Sequence, residues 1–277
     1  HSTAILLDPE YGLEAAKQRA NGCGLLLAHE KSGYDNTSPG RIPLLLDNWS
    51  ARQTVAFGAN AVKILLYYTP FENFEVNEKK HAWVEKIGNE CTEADIPFFL
   101  EFVGYDHKGG DGKDLEYSKL KPEIVRLSME EFSQDHYQVD VLKVEVPINM
   151  QYTQGTKSYQ GNGTPAYTKA EAMEIFRDTA KAAKRPFIYL SAGVSDAEFR
   201  ESLELATEAG VRWNGVLCGR ATWKEGIPVY AKGGTAALEA WLSDRGVKNI
   251  QALNEVINKG ATAWWDFYGG KDKITVD

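Results

Sequence analysis

The chain has 277 residues, of which 43% are hydrophobic and 25% charged, and its formal net charge is −8. The composition is typical of a globular protein, and the negative charge argues against nucleic acid or an anionic membrane as the principal partner. No apolar run approaches the roughly 20 residues of a membrane-spanning helix, and three widely spaced cysteines predict reduced thiols and a cytoplasmic protein.

Short aliphatic runs alternate with helical patterns along the whole chain. Apolar residues at helical spacing predict a helix over 82–91, and Pro122 is expected to open another in its first turn. T-K-A-E (168–171) and S-D-A-E (195–198) are capping-box patterns, and Gly210 is expected to end the second of these helices. The runs expected to be strands covered on both faces are 4–8, 24–29, 61–68, 97–103, 139–146, 186–191 and 214–219.

This alternation predicts an α/β protein with a parallel sheet, for which two architectures compete. A doubly wound sheet usually carries a glycine-rich fingerprint after its first strand, and the sequence contains neither G-x-G-x-x-G nor a Walker A motif. The alternative is a (β/α)8 TIM barrel. Seven strands are counted and the chain opens abruptly at H-S-T-A-I-L-L-D, so we expect residues 1–277 to form one barrel domain whose first strand and helix lie upstream.

Charged residues stand inside the apolar runs, where an unpaired charge would cost several kcal/mol. Lys63, Glu101, Lys143 and Glu145 are the clearest cases, and Asp8 ends the first run. One interpretation is a set of structural ion pairs between the lysines and the carboxylates. The other is a catalytic site, because in barrels the ends of several strands meet at one face.

Two lysines and two carboxylates at such a face predict amine chemistry. A lysine attacks a carbonyl only as the neutral amine, and desolvation together with a neighbouring cation lowers its pKa. Lys143 with Lys63 nearby meets this need. Glu101 or Glu145 would then be in reach to transfer protons.

Small residues follow the last two strands, in S-A-G-V-S (191–195) and C-G-R-A-T-W (218–223). Such turns expose backbone N–H groups where barrels often bind a phosphate, and Arg220 would add a fork of donors. Ordinary strand-to-helix turns remain the other interpretation. The five histidines show no metal-ligand spacing, so no metal or cofactor is expected.

The motifs resemble those of the class I tagatose 1,6-bisphosphate aldolases over nearly the whole chain. The similar blocks occur in order and are L-L-D-P-E-Y-G (6–12), E-K-S-G-Y-D (30–35), T-S-P-G-R (37–41), K-I-L-L-Y-Y (63–68), I-P-F-F-L-E (96–101), V-D-V-L-K-V-E-V-P (139–147), Y-L-S-A-G-V-S (189–195) and N-G-V-L-C-G-R-A-T-W (214–223). The family's upstream D-Q-R-G-like segment has no counterpart in this chain.

The resemblance implies that Lys143 forms the Schiff base and that Glu101 transfers protons. It implies a substrate site for a phosphorylated ketose, whose expected lining residues are Lys63, Ser191, Gly193, Gly219, Arg220 and Asp8. Glu145 has no assigned role in the family, and we expect it to be a structural partner of Lys143 or Lys63. No metal is implied, because an iminium withdraws electrons as a zinc ion does elsewhere.

The activity implied by the resemblance is reversible cleavage of tagatose 1,6-bisphosphate. A related aldolase acting on another ketose phosphate or on a sulfosugar phosphate remains an alternative, as does a sugar-phosphate-sensing regulator derived from an aldolase. The long connections 104–120 and 148–167 are expected to border the mouth of the site. The sequence leaves a homo-oligomer open as a further partner.

Overall fold

The computed structural model describes residues 1–34, 40–161 and 163–275. Positions 35–39, which include most of the T-S-P-G-R block, and position 162 of the second long connection lie outside the described residues. A parallel sheet runs in the order β1-β2-β3-β4-β5-β8, and β6 pairs with β7 in a separate small sheet. The strands are β1 (Ala4–Leu7), β2 (Gly24–Ala28), β3 (Ala61–Tyr67), β4 (Phe98–Val103), β5 (Val141–Glu145), β6 (Thr153–Gln154), β7 (Tyr167–Thr168) and β8 (Phe187–Leu190).

Helices follow most strands and cover the outside of the sheet, which curls as an incomplete barrel. None of the helices in the described ranges is both long and apolar enough to cross a membrane. The helices are α1 (Pro9–Lys17), α2 (Ala51–Ala56), α3 (Phe74–Glu93), α4 (Leu115–Phe132), α5 (Lys169–Lys181), α6 (Asp196–Glu208), α7 (Arg220–Trp223), α8 (Gly226–Trp241, kinked at Gly234) and α9 (Val247–Gly260).

Alternation along the strands separates an apolar outer face from a mixed inner one. In β3, Val62, Ile64 and Leu66 are fully buried against the helices. Outward residues of the neighbouring strands complete the same core, among them Phe98, Leu100, Leu142, Val144, Phe187 and Tyr189. Each such fully buried apolar side chain stabilises the fold by about 1.5–3 kcal/mol, so this layer fixes which residues face inward.

The register of β4 and β5 decides which inward residues become neighbours. Glu101 of β4 pairs directly with Lys143 of β5, and Lys143 in turn pairs with Ile188 of β8. Lys63 pairs with Phe99, one inward position before Glu101. The lysine of β3 and the lysine of β5 are therefore placed on either side of the carboxylate of β4.

The described sheet ends at β1 on one side and at the segment 214–219 on the other. The predicted seventh strand is reduced to one bridge, between Tyr189 and Val216. Residues of both edges, including Ile5, Leu7 and Leu217, line the cavity that runs through the barrel.

The helix predicted to open at Pro122 begins seven residues earlier, at Leu115, so that prediction is wrong. Asp114 caps it by accepting a hydrogen bond from the Tyr117 backbone N–H at 2.8 Å. Proline inside a helix leaves the carbonyl four residues back without its donor. The Tyr167 hydroxyl donates to that carbonyl, of Ser118, at 2.6 Å, and this contact explains how the helix continues through Pro122.

The helix predicted over 82–91 is part of α3, which begins eight residues earlier, at Phe74. The predicted ends of α5 and α6 agree with the structure, although only the serine half of the 195–198 capping box is formed. Thr168 and Glu171 form a reciprocal capping box on α5. Ser195 caps α6 by accepting from the Glu198 backbone N–H, and Gly210 follows this helix with φ +76°. These local signals predict helix ends because each one satisfies backbone groups that the helix itself leaves unpaired.

Gly88 sits where α3 approaches the backbone at Tyr137, and Gly88→Ala is expected to destabilise the fold. A β-carbon at this position would lie 2.0 Å from the Tyr137 carbonyl oxygen, so backbone must move. We expect a loss of roughly 1–3 kcal/mol in the free energy of unfolding, as for other overpacked sites. Urea denaturation of both proteins measures it, with exposed Gly112→Ala as the control. An unchanged midpoint for Gly88→Ala would contradict the close approach.

Candidate active site

Three charged side chains of β3, β4 and β5 meet inside the barrel. Glu101 Oε2 lies 2.8 Å from Lys143 Nζ and 2.9 Å from Lys63 Nζ. Lys63 Nζ also contacts Glu30 Oε1, at 2.6 Å, just after β2. Lys143 and Lys63 are each only 5% exposed, so these contacts are made away from bulk water.

The environment of Lys143 favours the neutral amine. Burial lowers the pKa of Lys143 and the positive charge of Lys63 lowers it further, while Glu101 opposes both effects. The net direction is downward. A neutral amine has the free electron pair that attack on a carbonyl requires.

Lys63 has the opposite character, although its Nζ contacts the same carboxylate of Glu101. Burial alone would lower its pKa, but the carboxylates of Glu30 and Glu101 outweigh burial and raise the pKa of Lys63. Burial would likewise raise the pKa of Glu101, but the two lysines outweigh it and hold that pKa below its usual range. The cluster therefore combines a fixed cation, an ionised carboxylate and an amine whose pKa is lowered.

Glu30 also belongs to this cluster, although no role is expected for it from the sequence. Burial raises its pKa despite the contact with Lys63. Its Oε2 is buried and has no hydrogen-bond partner among the described residues. Its position directly after β2, in A-H-E, is the signal that could have identified it.

The turn after β8 and the start of α7 form a second part of the cavity. Ser191, Gly193, Gly219 and Arg220 all line it. Gly193 has φ +77°, and a β-carbon there would lie 3.3 Å from the Arg220 guanidinium carbon. Lys224 Nζ fixes the turn by donating to the Gly193 carbonyl at 2.9 Å.

One continuous cavity of about 2110 Å³ joins the two parts. Glu101, Lys143, Ser191 and Arg220 line the same space. Parts of both long connections border it, among them Asp111, Lys113, Asn149 and Gln151. Six of the eight site residues predicted from separate segments thus line one chamber large enough for a sugar phosphate.

Three expectations from the sequence do not agree with the structure. Glu145 contacts Lys121 of α4 at 3.2 Å and accepts from the Gly104 backbone N–H at 2.8 Å, so its partner is neither Lys143 nor Lys63. Lys63 and Asp8 are not among the residues lining the cavity. Lys63 instead pairs with Glu30 and Glu101. Asp8 caps α1, accepting from the Glu10 backbone N–H at 2.7 Å and from the Ser32 hydroxyl at 2.8 Å.

Two cysteine side chains, Cys23 and Cys218, also line the cavity. Burial raises the pKa of Cys218, which lines the cavity, to about 11, so its thiol stays protonated near neutrality. Within residues 1–34, 40–161 and 163–275, no group of three or more histidine, cysteine or acidic side chains is placed to hold a metal ion.

Comparison with known families and sequences gives a consistent result. The family model for DeoC/LacD family aldolases matches residues 1–225. Tagatose 1,6-diphosphate aldolase 2 of Enterococcus faecalis is 51% identical over 264 residues, which cover 95% of this chain and 78% of the relative. Tagatose 1,6-diphosphate aldolase of Listeria monocytogenes serotype 4a is 48% identical over 276 residues, covering 100% of this chain and 80% of the relative.

Solved structures share the fold at low sequence identity. A fructose-bisphosphate aldolase of Plasmodium falciparum superposes with a TM-score of 0.68 and 12% identity, covering 94% of this chain and 78% of that one. An archaeal fructose-1,6-bisphosphate aldolase, whose catalytic lysine is bound to a carbinolamine intermediate, gives a TM-score of 0.53 with 18% identity, covering 92% and 78%. These similarities establish the barrel-like α/β architecture expected from the sequence.

Proposed function

The chain belongs to the DeoC/LacD family of aldolases, and from this premise we propose that it cleaves tagatose 1,6-bisphosphate reversibly to dihydroxyacetone phosphate and glyceraldehyde 3-phosphate. The observation that carries the proposal is the 2.8 Å contact between Lys143 Nζ and Glu101 Oε2 inside the cavity. An amine with a lowered pKa beside an ionised carboxylate is the pair that Schiff-base cleavage needs.

The first step is condensation of the ketone with Lys143. The neutral Nζ attacks C2 of the open-chain ketose, and loss of water from the carbinolamine leaves an iminium. Lys63 remains a cation beside Glu101 and keeps that carboxylate ionised. Its positive charge also opposes protonation of Lys143, which favours the attacking form.

The second step breaks the bond between C3 and C4. Glu101 takes the proton of the C4 hydroxyl, the C4–O bond becomes a carbonyl, and the electron pair of C3–C4 moves into the iminium to give an enamine. Glyceraldehyde 3-phosphate leaves. The enamine carbon then takes a proton, and water hydrolyses the iminium to release dihydroxyacetone phosphate and the free Lys143 amine.

The phosphate of the dihydroxyacetone half would lie at the turn after β8. Ser191, Gly193, Gly219 and Arg220 line this part of the cavity, and a guanidinium beside exposed backbone N–H groups suits a phosphate.

The cysteines Cys23, Cys91 and Cys218 are free thiols, as is typical of a cytoplasmic enzyme.

Reductive trapping tests the proposal directly. Incubation with dihydroxyacetone phosphate and borohydride is expected to add one three-carbon phosphate unit, mapped to Lys143 by mass spectrometry. The yield should fall as the pH is lowered, because protonation of Lys143 removes the attacking electron pair. Lys63, which stays protonated, should not be labelled. Labelling elsewhere, or no label at all, would refute a Schiff base at Lys143.

A further inference from the structure

This inference rests on the proposed function. Given that function, the order of the strands determines the direction in which the substrate lies in the cavity. Lys143 on β5 must reach C2, while Glu101 on β4 must reach the hydroxyl of C4. The carbon chain therefore runs from β5 toward β4. Its remaining carbons and their phosphate continue toward β3, away from β8 and Arg220.

A cation stands at that end of the cavity. Arg41 lines the cavity, and its guanidinium carbon lies 4.9 Å from the ring centre of Tyr67, the last residue of β3. It lies 4.7 Å from the ring centre of Tyr105, just beyond β4. A guanidinium stacked on aromatic rings still has N–H groups along its edge to bind the oxygens of a phosphate.

A buried donor without a partner lies at the same end. Tyr117 lines the cavity, and its buried hydroxyl makes no hydrogen bond with any described residue. A β-carbon on Gly104 would lie 2.5 Å from this hydroxyl and 3.4 Å from Glu145 Oε2. The Tyr117 hydroxyl therefore fits here because residue 104 has no side chain. Burial and Glu145 raise the pKa of Tyr117, which keeps the hydroxyl protonated and able to donate.

A buried network supports Arg41 from behind. Lys80 of α3 is fully buried, and its Nζ donates to the Tyr105 hydroxyl at 3.0 Å. That hydroxyl donates to Glu72 Oε2 at 2.7 Å. The network holds the Tyr105 ring on which Arg41 stacks, although burial and the nearby Arg41 lower the pKa of Lys80 to about 8.

We infer that Arg41 and Tyr117 bind the phosphate of the aldehyde half of the substrate, and that Lys80 is a positioning residue acting through Tyr105. The phosphate of the dihydroxyacetone half then lies at Arg220, and the phosphate of the aldehyde half lies at Arg41. Lys143 and Glu101 lie between them. The enzyme thereby selects a sugar phosphorylated at both ends.

Condensation of dihydroxyacetone phosphate with two aldehydes tests this assignment. The measured quantity is kcat/KM for glyceraldehyde 3-phosphate divided by kcat/KM for unphosphorylated glyceraldehyde. Arg41→Gln is expected to lower this ratio about 10- to 100-fold, the range for lost hydrogen bonds to a charged group. Tyr117→Phe should lower it about fivefold, since one neutral donor is lost. Lys80→Met should also lower it, and Arg126→Gln on the outer face of α4 should not.

The ratio separates a binding role from a structural one. If Arg41→Gln or Lys80→Met slows both aldehydes equally, or if Tyr117→Phe leaves the ratio unchanged, the assignment is overturned. Trapping of dihydroxyacetone phosphate at Lys143 in the same variants keeps this failure distinct from failure of the aldolase activity. Tyr117→Phe keeps the packing of the ring. If Arg41→Gln does not fold, the ratio measured for Tyr117→Phe still tests the assignment.

Discussion

Lys143→Met is expected to abolish cleavage of tagatose 1,6-bisphosphate, lowering kcat by about 10⁴-fold or more, as loss of a catalytic nucleophile does. Methionine keeps an unbranched side chain of similar length but has no amine to attack the carbonyl. It also leaves Glu101 paired with Lys63, so no carboxylate is left without a cation. A coupled assay for the triose phosphates measures the rate.

The matched control is Lys119→Met, which removes an exposed lysine of α4 paired with Glu116. Its activity should equal that of the parent protein. Circular dichroism and thermal unfolding of Lys143→Met should resemble those of the parent. Residual turnover near the parent rate, or global unfolding, would show that Lys143 is not the nucleophile or that its role is chiefly structural.

Glu101→Gln is expected to lower kcat by about 10²- to 10⁴-fold, the usual contribution of a general acid–base group. The amide has nearly the same shape but cannot take the proton of the C4 hydroxyl. The borohydride adduct at Lys143 should nevertheless persist. The carboxylate of Glu101 raises the pKa of Lys143, so in Glu101→Gln this pKa is lower still. The pH below which the yield of the adduct falls should therefore be lower than in the parent protein.

The separation of trapping from turnover distinguishes the two residues. Lys143→Met should lose both, whereas Glu101→Gln should lose only turnover. Glu131→Gln, at a partly buried carboxylate remote from the cavity, is the isosteric control. Loss of the adduct in Glu101→Gln, or full turnover, would contradict proton transfer by Glu101.

The proposed catalytic pair, Lys143 and Glu101, could be predicted from the sequence because a charge inside an apolar strand is a strong local signal. Alternation places Lys63, Glu101 and Lys143 on the face opposite the buried aliphatic side chains that flank them in their own strands. The register itself is set by packing between strands, so the direct pairing of Glu101 with Lys143 emerges only in the structure. Helix boundaries failed where a distant side chain intervened, as Tyr167 does at Pro122.

The residues that sequence reasoning missed lie outside the strands. Arg41 and Lys121 follow no strand end, and the T-S-P-G-R block that contains Arg41 implies no role for it. The sequence pattern places Tyr117 in the connection 104–120, whereas it lies in the first turn of α4. The partner of Glu145 is not predictable for the same reason, since Lys121 lies on that helix.

The pairing of Glu101 with Lys143 across two strands also restricts how this part of the chain can change in length. Side chains alternate with a period of two, so adding or deleting one residue before either position turns that group toward the helices and away from its partner. Length variation among natural or laboratory variants should therefore accumulate in the turns at 105–114 and 155–161 and be absent from Phe98–Glu101 and Val141–Lys143.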